Sequence, residues 1–373
     1  MLNSNKVAIF PKIPREDERM DKLRVALLGA TGMVGQRFVK LLENHEMFEL
    51  SVLAASPSSA GKKYQDAAHW CIEGEVPEKF REMTVVKADL ENVKKEDNVD
   101  FVFSALPSDV ARIVEAEFAK AGIPVISDAS AYRMEEDVPI LIPEVNPDHL
   151  ELVKKQSNRG WRSFIVTNPN CTSNVLILAL KPLQENFGIK RVIVSTMQSL
   201  SGAGWFGVTS MAIIDNILPY IKNEEEKVER EAVKIVGEFD GSKIIPAEFK
   251  ISASCHRVNV LEGHTEAVFV ELKSKADPKQ VIEAMKNFRG RPQELNLPTA
   301  PENPIIVRME ADRPQPRLDR YAGNGMSVVV GRIRSDTVLD NGIKFVLVGH
   351  NTIRGAAGNA VLNAELAVRE GYL

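Results

Sequence analysis

The chain is short of cysteine, of net charge and of long apolar runs. Its 373 residues hold three cysteines, Cys71, Cys171 and Cys255. That is too few for a disulfide framework, and their spacing matches no metal site. A reducing cytoplasm is the expected compartment, with no metal. The formal net charge of -4 leaves no basic excess, which argues against a nucleic acid or an anionic membrane as partner. No apolar stretch reaches the ~20 residues that span a bilayer. The first residues lack the apolar core of a secretory signal. Internal repeats and low-complexity tracts are missing as well. What remains is 44% hydrophobic and 26% charged residues, the balance of a globular enzyme, in a chain long enough for two cores.

Hydrophobic patterning divides the chain. Residues 1–20 read as an N-terminal extension ahead of the first strand, with Met20 as an alternative start. Leu23–Leu28, Phe48–Ala55, Val99–Ala105 and Ile123–Ile126 read as strands, and Val34–Asn44 and Val110–Ala121 as helices between them. This alternation predicts an α/β domain with a parallel sheet. Beyond Cys171 the pattern turns β-rich, at Val192–Gln198, Ser252–Leu261, His264–Leu272 and Met326–Ile333, with a helix at Glu225–Val236. That predicts a second, α+β domain whose sheet is mixed and mostly antiparallel. An alanine-rich helix is expected over Thr352–Glu370. Pro298–Pro304 reads as an irregular connection.

Gly29-Ala30-Thr31-Gly32-Met33-Val34-Gly35 follows the first strand and opens the first helix, the setting a dinucleotide turn requires. Its glycines permit a tight turn and a close approach of backbone to pyrophosphate at the helix N-terminus. A βα turn without ligand is the plainer alternative. The end of the second strand, Ala54 to Lys63, carries no carboxylate to bond a ribose 2′-hydroxyl and repel a 2′-phosphate. Ser56, Ser59 and Lys62 stand there instead. They favour NADP over NAD; a solvated Ser/Lys loop is the alternative.

Asn168-Pro169-Asn170-Cys171 leads into the apolar run Val175–Leu183. A thiol at a helix start meets unpaired N–H groups and the positive end of the helix dipole. Both are expected to lower its pKa and make it a nucleophile. Cys71 and Cys255 lie beside apolar residues and read as small buried hydrophobes. The base for such a thiol is usually a histidine. His45, His69, His149, His256, His264 and His350 are available, and spacing does not choose between His256 and His264. Arg257 alternates with Val258 and Val260, so it faces either solvent or an anion. A thiol and a dinucleotide together point to redox chemistry through a thioester.

Taken in order, Asn170-Cys171-Thr172, the run Gln198 to Gly204 and the run Arg257 to His264 resemble aspartate-semialdehyde dehydrogenase, from Leu23 to the C-terminus. Ala60 to Tyr64, and Arg317 to Arg320 through Asn324 to Ser327, are similar to its archaeal and fungal branch. The resemblance implies an NADP-binding Rossmann domain over 21–169 and 350–373, and a catalytic and dimerisation domain over 170–349. It implies Cys171 as nucleophile and His264 as acid/base. Arg257 would hold the substrate α-carboxylate, a task suited to a guanidinium fork, and Glu224 its α-ammonium. Arg133 and Lys227 would bind phosphate, with Asn170 and Gln198 positioning the substrate. The cofactor would contact Gly29, Thr31, Gly32, Met33, Val34, Ser56, Ser59, Lys62, Ser104, Leu106, Pro107, Ser201, Gly202 and Asn351. Ser58 stands where related chains often carry arginine, a departure that bears on strict NADP selectivity.

The implied reaction is reversible reductive dephosphorylation of 4-phospho-L-aspartate to L-aspartate 4-semialdehyde. It belongs to the aspartate pathway to lysine, methionine, threonine and isoleucine, and is implied for a homodimer or homotetramer in the cytoplasm. Without the resemblance, Glu224 to Glu231 would read as a solvated helix face and Arg133 as a loop arginine. An acyl-CoA reductase of the malonyl-CoA type on the same scaffold is one alternative, and it has no need of Glu224 for an ammonium. A non-catalytic NADP-binding regulator is the other. It would not need a thiol that iodoacetamide alkylates quickly.

Overall fold

Short runs of Val, Leu, Ile and Phe, buried on both faces, build the first sheet of the protein. The computed structural model describes residues 21–373; the extension expected over residues 1–20 lies outside the described residues. The strands are β1 (Leu23–Leu28), β2 (Phe48–Ala55), β3 (Val85–Lys87), β4 (Phe101–Ser104), β5 (Val125–Ser127) and β6 (Ile165–Thr167). They pair in parallel in the order β3-β2-β1-β4-β5-β6. The order reverses between β1 and β4, which opens a crevice at the carboxyl ends of the strands, where this architecture binds dinucleotides. The Met33–Leu42 and Ser108–Lys120 helices pack on the sheet, and the last helix, Gly358–Arg369, is buried nearly all round beside Phe38, Phe101 and Phe103.

The second sheet comprises β7 (Ile189–Gln198), β10 (Lys250–Arg257), β11 (His264–Leu272), β12 (Ile305–Val307), β13 (Val328–Ser335) and β14 (Gly342–Gly349). A separate two-stranded ribbon holds β8 (Glu238–Phe239) and β9 (Ile244–Ile245). The main order is β10-β7-β11-β14-β13-β12. The four inner strands run antiparallel, while β10 and β12 lie parallel to their neighbours at the edges. Strand alternation turns Val192, Val194, Val268, Val270, Phe345 and Leu347 to one face, against Val175–Leu183 of the Cys171–Phe187 helix. This packing fixes the start of that helix over the end of the second sheet.

Expected elements are shorter than their sequence pattern in several places, as where Val99–Ala105 yields Phe101–Ser104. The strand expected over Ser252–Leu261 stops at Arg257. There the backbone exchanges hydrogen bonds with Leu218, at 2.8 and 3.0 Å, and the next N–H, of Val258, turns to Gln198. The chain then loops to Gly263, whose φ of +94° suits glycine. The helix expected from Thr352 becomes regular at Gly358, after a π turn at Ile353–Ala357. That turn brings the Gly355 backbone against the nucleophile candidate: a Cβ there would lie 2.8 Å from Cys171 Cβ.

The glycine turn separates two roles. Gly29 has φ +86°, and a Cβ on Gly35 would lie 2.2 Å from Gly29 O, so helix and strand touch through these two residues. At Gly32 an added Cβ would meet only Gly29 O, at 3.6 Å, and the residue is exposed at the helix start. Gly35→Ala is therefore expected to cost about 1–3 kcal/mol of stability in denaturant titration. Gly32→Ala is expected to leave stability within ~0.5 kcal/mol and to weaken dinucleotide binding, measured by fluorescence titration.

Candidate active site

Asn170 caps the Cys171–Phe187 helix. Its Oδ1 accepts the N–H groups of Thr172 and Ser173 at 3.0 and 3.2 Å, as a capping side chain should. Its own N–H donates to Glu231 Oε2 at 2.6 Å, and its Nδ2 to Glu224 Oε1 at 2.9 Å. Cys171 is thus the first helical residue, half-buried, with its Sγ 3.3 Å from His264 Nε2. Of the two histidines left open by sequence, His264 reaches the thiol. His256 points from the opposite face of β10, with Nδ1 3.2 Å from Thr196 O.

The expected lowering of the thiol pKa does not hold in the ligand-free site. Burial pushes the Cys171 thiol up to about 12, and the charge of Glu224 adds to this; Arg257, Arg133 and the Thr172 N–H act the other way. Burial likewise holds His264 down to about 3, with Arg257 and His350 opposing a positive ring. A thiolate–imidazolium pair is therefore disfavoured on both sides.

Around this pair stand the other residues named from sequence. Glu224 Oε1 takes three donors, Asn170 Nδ2, Gln198 Nε2 at 2.9 Å and Thr172 Oγ1 at 3.3 Å. Its Oε2 has Lys227 Nζ at 3.7 Å. Arg257 is buried and donates to Ser199 O at 2.7 Å, which leaves the rest of its fork for a ligand. Gly202 closes this corner: a Cβ there would lie 2.7 Å from an Arg257 nitrogen and 3.4 Å from His264 Nε2. Arg133 is buried, donating to Glu231 Oε1 at 3.0 Å and to Asp128 O at 2.7 Å. Asn351 joins Ser199, Gly263 and Ser201 by hydrogen bonds of 2.8–3.0 Å.

The dinucleotide crevice is lined from the first sheet. Thr31, Gly32, Met33 and Val34 sit at the open helix start, and Ser56, Pro107 and Lys62 are exposed. Ser56 Oγ is 2.9 Å from Ser58 Oγ, so the serine in place of arginine offers a paired hydroxyl and no charge. Lys63 is tied to Glu82, whereas Lys62 has no ion-pair partner among the described residues. Ser104, named for the cofactor, is fully buried at the end of β4, with its carbonyl taken by the Asp128 N–H. Cys71 is a correction to the expected buried thiol, since it is half-buried, its N–H and Sγ both directed to Gln36 Oε1.

Several residues at the site were not singled out from sequence. Glu231 and Lys234 continue the face begun by Glu224 and Lys227, at spacings of three and four that a helical reading could have flagged. Lys234 donates to the carbonyls of Arg133, Glu135 and Val138 at 2.6–2.8 Å. Burial lowers its pKa to about 8. Glu266 lies two residues after His264 on the same face of β11, buried with neither carboxyl oxygen bonded, and burial raises its pKa. Among the described residues no group of three or more His, Cys, Asp or Glu is placed to hold a metal, and no helix is long and apolar enough to cross a membrane.

Residues 24–153 match the family model of the semialdehyde dehydrogenase NAD binding domain, and residues 180–354 that of the semialdehyde dehydrogenase dimerisation domain. The aspartate-semialdehyde dehydrogenase of Methanothermobacter thermautotrophicus is 56% identical over 345 residues, 92% of this chain and 98% of that one. The NADP-dependent malonyl-CoA reductase of Metallosphaera sedula is 43% identical over 356 residues, covering 94% and 98%. The crystal structure of aspartate-semialdehyde dehydrogenase with NADP from Candida albicans superposes with a TM-score of 0.85 at 40% identity, covering 95% of this chain and 100% of that one.

The raised thiol pKa has a direct reading. Iodoacetamide alkylation of Cys171 in the ligand-free protein is expected to be slow near pH ~7 and to accelerate about tenfold per pH unit into the alkaline range. A rate already level below pH ~8 would mean that the thiolate is formed at rest. Slow labelling is therefore no mark of a non-catalytic protein here.

Proposed function

The chain belongs to the semialdehyde dehydrogenase family, and from that premise we propose that it is an NADP-dependent aspartate-semialdehyde dehydrogenase. The reaction is reversible reductive dephosphorylation of 4-phospho-L-aspartate to L-aspartate 4-semialdehyde, within the aspartate pathway of amino-acid biosynthesis. The observation that carries this reading is the convergence of the Cys171–His264 pair, the Glu224 carboxylate and the Arg133 guanidinium around one helix start.

In the biosynthetic direction Cys171 attacks the acyl phosphate and displaces phosphate, which Arg133 and Lys227 bind. A thioester on sulfur splits one hard displacement into two easier ones. Arg257 takes the α-carboxylate as a fork and Glu224 the α-ammonium, with Asn170 and Gln198 fixing the Glu224 rotamer. The less occupied Oε2 of Glu224 is the oxygen that meets the ammonium. His264 serves the sulfur and the carbonyl oxygen. NADP fits the crevice because the exposed Gly32 leaves room at the helix start and no carboxylate follows β2. It would rest on Gly29 to Val34, with Ser56, Ser59 and Lys62 toward the 2′-phosphate. Leu106, Pro107, Ser201, Gly202 and Asn351 would line the remainder. When bound, NADPH supplies the hydride that reduces the thioester carbon.

The domain split at residues 169/170 and 349/350, a homodimer or homotetramer through the second domain, and a cytoplasmic setting complete the proposal. The apolar side chains of Trp205, Phe206, Met211, Ile214 and Ile217 are exposed in the single chain, which accords with assembly.

The malonyl-CoA reductase reading shares the scaffold and the thioester. Glu224 is the feature that disfavours it, since a malonyl group brings no ammonium. Purified protein is expected to reduce NADP with aspartate semialdehyde in a phosphate-dependent manner, and to show little NADPH-dependent reduction of malonyl-CoA with release of CoA. The opposite preference would sink the assignment. Cys171→Ala is expected to abolish turnover while retaining NADP affinity, measured by titration. Substantial residual activity in that variant would remove the thioester from the mechanism.

A further inference from the structure

The loop that carries Arg133 follows β5, and residues 128–138 form turns and bends only. Its inner side rests on Lys234. That side chain donates to the carbonyls of Arg133, Glu135 and Val138 at 2.6, 2.7 and 2.8 Å. Three acceptors take all the protons of an ammonium, and a neutral amine would leave one of them facing a lone pair. Burial opposes the positive charge, while Asp137, Glu231, Glu135 and Glu136 favour it. Lys234 therefore has no N–H left for a ligand. Lys227, on the same helix face, is partly exposed and meets Glu224 at 3.7 Å.

The same helix holds the far end of Arg133. Nη1 donates to Glu231 Oε1 at 3.0 Å, about one turn before Lys234, and Nη2 donates to Asp128 O at 2.7 Å. The other Glu231 oxygen takes the Asn170 N–H, so carboxylate and guanidinium are joined by one bond and not as a two-bond fork. Further guanidinium N–H groups stay uncommitted. Nε is one of them, buried with no partner among the described residues. A buried donor left unpaired is costly, and an anion beside the fork would relieve it.

We propose that Lys234 is a positioning residue for the phosphate site: by pinning three carbonyls of the loop, it holds Arg133 with guanidinium N–H groups turned to the phosphate. The proposal rests on the reading above, in which Arg133 binds phosphate. Lys234 touches neither substrate nor cofactor and acts through Arg133 alone.

The outer side of the loop is tied less firmly. Arg159 bonds Glu135 and Asp137, and Arg112 bonds Glu135. These side chains are partly exposed, and ion pairs of that kind contribute little. The buried clamp is the stronger tie, because each of its carbonyls would otherwise be left short of a donor. Without it, Arg133 regains the freedom of a long side chain on a loosened loop. Its guanidinium can then turn further onto the buried Glu231 carboxylate. Both changes reduce what it offers a phosphate. A lysine that merely satisfied buried carbonyls would matter for stability and not for one substrate among three.

The test runs in the phosphate-consuming direction, with inorganic phosphate, aspartate semialdehyde and NADP each varied in turn. Lys234→Met keeps the stem and removes the ammonium. It is expected to raise the KM for phosphate about 10–100-fold, the size of effect that a misplaced binding group produces. The KM values for NADP and aspartate semialdehyde are expected to stay within about twofold. Partial unfolding lowers Vmax and leaves every KM alone, so that pattern would overturn the proposal, and so would equal rises in all three. Arg133→Ala supplies the second arm. Because Lys234 acts through Arg133, adding Lys234→Met to Arg133→Ala is expected to change the phosphate KM by less than about twofold; additive penalties would overturn the proposal. Where Lys234→Met does not fold, Lys234→Gln, which keeps two N–H donors, takes its place in the same cycle. A rise of at least about threefold in phosphate KM is then expected, and no rise overturns the proposal. An unchanged phosphate KM in Arg133→Ala would remove the phosphate reading itself. A raised value there beside an unmoved Lys234 variant would remove only this inference.

Discussion

The carboxylate of Glu231 ties the two halves of the site together. One oxygen takes the Asn170 N–H at 2.6 Å and the other the Arg133 guanidinium at 3.0 Å. The first bond sets where the nucleophile's helix begins; the second sets where the phosphate-binding arginine points. All three groups are buried. A buried carboxylate held this way is costly to disturb, because removal of one partner strands a charge in low dielectric. Glu224, about two helix turns earlier, repeats the device toward Asn170 and Gln198. The helix from Glu224 to Ile235 therefore acts as a rail. Its buried face carries the charges that register the first sheet's loops against the second sheet's strand ends.

That burial decides the electrostatics of the reacting pair. A helix terminus is worth typically ~0.3–1 kcal/mol and at most ~2 kcal/mol, or up to about 1.5 pKa units. Desolvation shifts a buried group by up to about 3–5 units. The outcome follows from these magnitudes: the thiol goes up, to about 12, although it stands first in its helix. The histidine goes down for the same reason. Burial thus opposes a charged thiolate–imidazolium pair, and an ammonium that offset Glu224 would act the other way on the thiol.

The legible part of the sequence was the part where local pattern and local structure coincide. β1, β2 and β4 are short runs rich in apolar residues and bounded by turns, and the glycine turn stands between a strand and a helix, as its spacing requires. β3 and β6 are three residues each, too short to show a period. Cys171 could be found because a cap, a proline and an apolar run mark a helix start. Its pKa could not, because burial arises from Gly355 and from His264 of β11, both distant in sequence. The role of Glu231 was hidden for the same reason. Its partners lie 61 and 98 positions away, and a carboxylate in a charged helix gives no local sign of being buried.

The likeness to a malonyl-CoA reductase places the question of specificity at a few atoms. Both chemistries need a thiol, a dinucleotide crevice and a donor for a developing oxyanion, and a scaffold shared at 43% identity can supply all three. They differ in what accompanies the acyl group. An amino acid brings an ammonium next to the reacting chain, and that charge must be met inside a buried site. Glu224 is half-committed: three donors saturate Oε1, while Oε2 faces Lys227, at 3.7 Å. A carboxylate so arranged keeps its rotamer without a ligand and still has an oxygen to offer. With no ammonium present, that oxygen stays poorly paired in low dielectric, which penalises a substrate that lacks the charge. Discrimination then comes from the unmet partner as much as from the bond formed.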